Sequence, residues 1–161
     1  MDERARHLVA TLDLIPHPEG GFLREFFRSG HMVSRDSGAP ALSALTAIYY
    51  LLASGQHSRW HAIASDEQWT FLEGSPMELF MVGPPGGRPT STRLGPVTEG
   101  CEPLAVVPAG SWQAARPTGA FALMSCTVAP GFEYADFRFL ADDAQARQRV
   151  TPGLGELRDL L

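Results

Sequence analysis

GQHSRWHAIASDEQWTFLEG, at residues 55–74, carries the strongest fold signal in the chain. It contains His61, then Ile63 two residues later, then Glu67. Residues two apart on a strand share a face, so His61 and Ile63 point the same way. A turn at 64–66 would bring Glu67 back beside His61 in the interior of a barrel. The spacing is compatible with a pocket around His61 and Glu67, and equally with a hydrogen-bonded core or edge histidine at position 61.

The frame from Gly55 to Gly74 resembles the first motif of the cupin superfamily, and residues 108–113 resemble the second. In typical metal-binding cupins, histidines stand at the positions that Ile63 and Gln113 occupy here. The resemblance implies that Gln113 faces the pocket from another strand. It also implies a ligand set that lacks two imidazoles.

The rest of the chain also reads as short strands separated by Gly, Pro, Ser and Asp, without helical crossovers. This pattern predicts a mainly β sandwich or barrel. Apolar residues at helical spacing between Asp2 and Asp13 predict one amphipathic N-terminal helix. Residues 141–161 return to helical composition, and 151–153 are expected to separate two short helices.

Five blocks in order resemble a small, uncharacterised cupin family marked by an HPEGG segment (cupin family 5, a domain of unknown function). The blocks are HPEGGF at 17–22, TAIYYLL at 46–52, SRWHAIASDEQW at 58–69, VPAGSWQAA at 107–115 and CTVAPGFEYADF at 126–137. The length of 161 residues predicts a single domain over 1–161. The resemblance implies a cupin-type double-stranded β-helix, or jelly-roll barrel, over about 20–139. It further implies an internal cavity and a homodimer, but no established reaction.

Five further side chains are interpreted as ligand-binding residues. Gln113 offers an amide, and Thr70 stands where the family often has a histidine. Tyr49 and Trp60 are aromatic walls for a ring-shaped ligand, as pockets commonly have. The planar fork of Arg24 suits a carboxylate or phosphate, although a salt bridge at a subunit interface is the favoured interpretation.

Three functions remain open for this pocket. In the first, His61 and Glu67 are a catalytic pair for isomerisation, epimerisation or elimination on a small polar metabolite. In the second, His61, Glu67 and Gln113 hold a divalent metal ion in a dioxygenase or lyase. In the third, the barrel binds or senses a ligand without changing it.

The composition limits the partners. A formal net charge of −5 and thirteen scattered basic residues predict no nucleic-acid surface. No apolar run approaches a membrane span, and the charged start is unlike a secretory signal. Cys101 and Cys126 form no disulfide or zinc pattern. We therefore expect a cytoplasmic protein whose partners are a small-molecule ligand and a second copy of the chain.

Overall fold

Antiparallel strands make up most of the computed structural model, which describes residues 1–35, 38–98 and 100–161. The strands are β1 Ile15–Pro16, β2 Phe22–Arg28, β3 Met32–Val33, β4 Leu42–Ser43, β5 Thr46–Ala53, β6 Ser58–Ala62, β7 Asp66–Gly74, β8 Met77–Val82, β9 Thr90–Leu94, β10 Leu104–Val107, β11 Trp112–Pro117, β12 Phe121–Ala129 and β13 Arg138–Phe139. The α-helices are α1 Glu3–Thr11 and α2 Ala144–Leu154. Short 3₁₀ helices cover Tyr134–Asp136, Leu140–Asp142 and Gly155–Leu160.

Two sheets face each other across the interior. One has the order β1-β2-β5-β12-β7-β10 and the other the order β13-β6-β11-β8-β9, while β3 and β4 pair separately. The 55–74 stretch supplies β6 to one sheet and β7 to the other. The chain thus crosses from one wall to the other between His61 and Glu67. The predicted mainly β jelly-roll barrel is confirmed.

Three apolar cores hold these layers together, because each sheet buries apolar side chains on both of its faces. The inner core lies between the sheets and includes Tyr50, Trp69 and Met124. A second core lies under α2, on the outer face of the five-stranded sheet, and includes Trp60 and Trp112. The third lies under α1, on the outer face of the six-stranded sheet.

Helix α1 follows the predicted pattern. The side chain of Asp2 accepts hydrogen bonds from the backbone amides of Arg4 and Ala5 and so caps the N-terminus. Ala5 and Leu8 are buried in the core that contains Leu51 of β5. The predicted amphipathic helix is confirmed, and it packs on the outer face of the six-stranded sheet.

The expected break at residues 151–153 is wrong. Helix α2 continues through Pro152 to Leu154. It ends at Gly155, whose φ of +56° lies in the left-handed region that glycine adopts at little cost. The last residues then form a 3₁₀ helix. Within the described residues, no helix combines the length and the apolar character needed to cross a membrane.

Candidate functional site

A cavity of about 340 Å³ lies between the two sheets. Its walls are largely apolar, with one cluster of titratable side chains in the interior and one set of charged side chains at the mouth. The apolar lining includes Leu23, Ile48, Ile63, Trp69, Val128 and Phe132, together with Tyr50 and Cys126. The interior cluster consists of His17, Glu19, His61 and Glu67, and the mouth carries Glu25, Arg28, Glu133 and Tyr134.

His61 is buried on β6, and its environment fixes its tautomer. Its Nδ1 lies 2.7 Å from the carbonyl oxygen of Arg59. A carbonyl can only accept, so Nδ1 carries the hydrogen and donates it. Nε2 is then unprotonated, and it lies 3.7 Å from Oε2 of Glu19. Because burial lowers the pKa of His61, the neutral ring is favoured, with Nε2 as a proton acceptor.

Glu19 reaches the cavity from the turn that precedes β2. Gly20 and Gly21 have φ values of +114° and +69°, and a Cβ on Gly20 would lie 2.1 Å from the carbonyl oxygen of His57. Only glycine allows this close approach of the turn to the strands. The amide of Arg59 donates to the carbonyl oxygen of Glu19 over 2.9 Å, which holds the turn against β6.

The Glu19 carboxyl has hydrogen-bonding neighbours but no strong counter-charge among the described residues. Ser58 Oγ donates to Oε2 over 3.2 Å, and His17 Nδ1 lies 3.8 Å from Oε1. Burial raises the pKa of Glu19 to about 7, against smaller lowering effects from His17, Ser58 and Arg59. A large fraction of this carboxyl therefore carries a proton near neutral pH.

His17 connects this carboxyl to the mouth of the cavity. Its Nδ1 accepts from the amide of Glu19 over 3.3 Å, so Nε2 carries the hydrogen. Nε2 lies 3.2 Å from the hydroxyl of Tyr134, to which it donates. Burial lowers the pKa of His17, which keeps the ring neutral.

Glu67 is buried on β7 and is held by a neutral chain of hydrogen bonds. The indole Nε1 of Trp69 donates to Oε1 of Gln113 over 3.0 Å. Because an indole can only donate, this contact fixes the amide orientation, and Gln113 Nε2 donates to Oε2 of Glu67. Burial raises the pKa of Glu67 to about 7, and the negative charge of Glu19 adds to the shift.

The charged side chains at the mouth are paired with each other. Both nitrogens on one edge of the Arg28 guanidinium donate to the carboxylate of Glu25, each over 2.9 Å. Nη1 of Arg28 donates to Glu133 over 2.8 Å, and Nη2 reaches the carbonyl oxygen of Phe132 over 3.2 Å. In the part of the chain that the structure describes, the only guanidinium on the lining is therefore fully occupied by protein acceptors.

Comparison with known proteins identifies the family. The family model described as "Cupin superfamily (DUF985)" matches residues 6–140. The chain belongs to this family. No curated protein matches the sequence.

Solved structures agree with this assignment. A Shewanella oneidensis protein is 30% identical with a TM-score of 0.85, and the alignment covers 98% of this cupin and 96% of that chain. A hypothetical protein from Leishmania major is 28% identical with a TM-score of 0.77, covering 91% of this cupin and 98% of that chain. A variant of oxalate decarboxylase from Bacillus subtilis is 16% identical with a TM-score of 0.57, covering 79% of this cupin but 30% of that chain, and shows the fold alone.

Two of the predicted ligand-binding residues of this cupin lie on the outer face of the six-stranded sheet. Arg24 stands between two cavity-lining residues of β2, so its side chain points away from the cavity. It lies 3.6 Å from Asp13 and over the ring of Tyr49. Tyr49 likewise alternates with Ile48 and Tyr50, which line the cavity. These positions correct the interpretation of Arg24 and Tyr49 as cavity residues.

Thr70 and Trp60 also point away from the cavity. Thr70 follows Trp69 on β7 and accepts a hydrogen bond from Gln68 on the outer face. Trp60 precedes His61 on β6 and is buried under the C-terminal helices, where Nε1 donates to the carbonyl oxygen of Leu157. The side-chain alternation of each strand is the physical reason for both corrections.

The metal set suggested by the cupin motifs does not fit these residues. Ile63 has no ligand atom, and Gln113 is fully buried outside the cavity lining, with its carbonyl oxygen already bonded to Trp69. His61 and Glu67 are thus left without the expected third member. Within residues 1–35, 38–98 and 100–161, no group of three or more His, Cys, Asp or Glu side chains is arranged to hold a metal ion.

The carboxyl nearest to His61 is Glu19, which sequence reasoning did not place in the site. Glu67, the expected partner, instead bonds to Gln113. The signal for Glu19 was its position in the HPEGG segment, where an acid precedes two glycines of a tight turn. Nothing local to this turn indicates the strand against which it docks.

Proposed function

We propose that this cupin binds a small organic molecule in its cavity and catalyses a proton transfer on it, as in isomerisation, epimerisation or elimination. The observation that carries this proposal is the His61 ring. Its Nδ1–H is held by a backbone carbonyl, and its basic Nε2 lies beside a buried carboxyl. A histidine fixed in one tautomer by such a contact is a well-suited general base.

The two carboxyls supply the complementary acid. Glu19 and Glu67 both have pKa values raised to about 7, mainly by burial. A carboxyl that keeps its proton near neutral pH can deliver it to a developing negative charge. In the proposed step, His61 Nε2 takes a proton from a carbon of the substrate. One protonated carboxyl then gives its proton to the oxygen or carbon on which the electron pair arrives.

Three neighbours hold these groups in place, and one of them, Trp69, also lines the cavity. Ser58 lies between Glu19 and His61, at 3.2 Å from the carboxylate and 3.5 Å from Nδ1. Gln113 holds Glu67 and is itself held by Trp69. Such supporting contacts limit the rotamers of the reacting groups and so keep their geometry constant.

Hydrogen exchange into carbon tests the proposal with pools of candidate substrates. The protein is incubated in D₂O with pools of neutral, cationic and anionic metabolites, and mass spectrometry records deuterium gained at non-exchanging positions. We expect exchange with the wild type and none with His61→Asn, which keeps a polar side chain but removes the base. His31→Asn, at an exposed site, is the matched control and retains exchange. Exchange that persists in His61→Asn, or that no pool shows, contradicts the proposal.

Ligand binding without catalysis is the second candidate. The mainly apolar lining and the enclosed volume suit a ligand store or sensor as well as an enzyme. Saturable binding that survives loss of both His61 and Glu67, with the ligand recovered unchanged, would favour this function.

We also propose that a second copy of the chain pairs along β2. In the described part of the chain, β1 covers this edge only at Phe22 and Leu23. Farther along the strand, Phe26 and Phe27 are exposed apolar side chains. An open strand edge with apolar neighbours favours pairing with another edge. Light scattering of the wild type should give the mass of a dimer, and Phe27→Glu should give a monomer; a monomeric wild type contradicts the proposal.

A further inference from the structure

The charge of the cavity lining limits which ligand it can accept. Among the described residues, four glutamates face the cavity, against a single guanidinium, Arg28. The guanidinium is already shared between two carboxylates at the mouth. The two histidines have pKa values lowered by burial and so contribute little positive charge. An anionic ligand would thus meet mainly negative charge on the described lining.

The neighbouring arginines lie outside the cavity wall and change this balance little. Arg59 lowers the pKa of Glu19 from outside the lining, and its guanidinium lies over the ring of Phe139, 4.0 Å from the centroid. Arg24 faces Asp13 on the outer side of the sheet. Neither residue is part of the cavity wall.

The two interior carboxyls have mainly neutral partners. Glu67 is bonded by the amide of Gln113, and Glu19 by the hydroxyl of Ser58, while His17 and His61 lie 3.8 Å and 3.7 Å from Glu19. Taking a carboxylate out of water costs free energy unless an opposite charge compensates it. A cation placed between Glu19 and Glu67 would supply that charge.

The remaining walls suit an apolar body next to this charge. Ile48, Ile63 and Val128 give an aliphatic surface, and Tyr50 and Trp69 place aromatic rings beside it. Aromatic faces attract ammonium groups, most strongly where water is excluded. The cavity therefore combines an apolar volume with an acidic interior.

We propose that the ligand is a small organic amine, bound as its ammonium ion between Glu19 and Glu67 with its apolar body against Ile48, Ile63 and Val128. This inference rests on the proposed function of the cavity as a ligand site and narrows its ligand class. One carboxyl ionises against the ammonium group, while the other keeps its proton and remains available as the acid. Nucleotide sugars and keto acids, which are anions, are excluded by the same charges.

Amine binding should depend on pH in a defined direction. Both carboxyls have pKa values raised to about 7, so the form that attracts an ammonium ion becomes more populated as the pH rises through 7. Affinity should rise over this range, and binding should release protons. The titratable and charged groups that face Glu19 and Glu67 are His17, Tyr50, Arg59, His61 and Cys126.

The test uses matched probes that share an apolar body and carry a cationic, a neutral or an anionic polar group. Each of three sets contains an amine, an alcohol and a carboxylate on the same apolar group. The first set is benzylamine, benzyl alcohol and benzoate, and the other two carry a cyclohexyl or an isopentyl group in place of the aromatic one. Isothermal calorimetry with the wild-type protein should show at least one amine binding about tenfold or more tightly than its alcohol, with no binding of its carboxylate. If no amine exceeds its alcohol, or if a carboxylate binds as tightly as its amine, the proposal is overturned.

Variants locate the charge. Glu19→Gln and Glu67→Gln should each reduce the affinity of that amine about tenfold or more while leaving the alcohol unchanged. Glu156→Gln, at an exposed glutamate outside the cavity, is the control and should change neither. Equal amine affinity in wild type, Glu19→Gln and Glu67→Gln overturns the proposal.

The outcomes separate this inference from the proposed catalysis. Selective amine binding without His61-dependent deuterium exchange would support an amine as the ligand and contradict the proposed catalysis. His61-dependent exchange on an anionic metabolite would support the catalysis and contradict an amine as the ligand.

Discussion

The interior and the mouth of the cavity both contain two glutamates, but their surroundings differ. At the mouth, Glu25 and Glu133 share the guanidinium of Arg28 and remain accessible to water. In the interior, Glu19 and Glu67 are enclosed and have mainly neutral partners. The same side chain thus stabilises an ion pair in one place and holds a proton near neutral pH in the other. Burial and the partner decide the chemistry, not the residue type.

The largest expected effect concerns the base of the interior. His61→Asn should lower turnover of any identified substrate about a hundredfold or more, because a positioned general base contributes at least that factor. Steady-state kinetics measure this effect, and circular dichroism should show an unchanged fold. Activity within a few-fold of the wild type would remove His61 from the mechanism.

The next effect concerns the neutral partner of Glu67. Gln113→Leu leaves the indole of Trp69 and the carboxyl of Glu67 without their shared hydrogen bonds. We expect a loss of about 2–4 kcal/mol in the free energy of unfolding, since two buried polar groups lose a partner. Urea denaturation measures it, with Gln68→Leu, at an exposed site, as the control. Equal stability of the two variants would show that the bond chain contributes nothing.

The pH dependence of stability distinguishes the two regions further. A folded-state pKa raised to about 7 means that the native state binds more protons than the unfolded chain between the two pKa values. The contribution of Glu67 is therefore fully present at acidic pH and is lost as the pH rises through 7. In Glu67→Gln this loss disappears, so the melting temperature of the variant minus that of the wild type should increase from pH 5 to pH 8. If the melting temperatures of the two proteins change in parallel with pH, the raised pKa of Glu67 is contradicted.

The smallest effect is expected at the mouth. Glu133→Gln breaks one contact of a half-exposed ion pair and should cost about 1 kcal/mol or less, and less still at high salt. Thermal unfolding at low and high salt measures it. A loss as large as that of Gln113→Leu would mean that mouth and interior are energetically alike.

The fold and half of the site were accessible from the sequence, through local periodicity and through the resemblance to the cupin motifs. The short strands predicted a mainly β sandwich or barrel, and the resemblance implied the jelly-roll barrel with His61 and Glu67 in its interior. Trp60 and Thr70 could also have been placed correctly, since each adjoins an inward residue and so faces outward. Their aromatic or polar character outweighed alternation in the prediction, although alternation is the stronger constraint.

Glu19 and His17 could not be placed from the sequence, because their position depends on long-range contacts. The turn at Gly20 and Gly21 has a local cause, because both glycines adopt positive φ. Its docking on β6 depends on the bond from the Arg59 amide, which no local pattern encodes. Tertiary contacts therefore supplied the second carboxyl of the site.

The chemistry of the interior requires that Glu19 and Glu67 hold protons near neutral pH while His61 stays neutral. Carbon-13 NMR of glutamate side-chain carboxyls, assigned with Glu19→Gln and Glu67→Gln, measures these titrations directly. Two carboxyl resonances should titrate with midpoints near 7, and each should be missing from the spectrum of the corresponding variant. Midpoints near the ordinary glutamate value of about 4.3 for both carboxyls would contradict it.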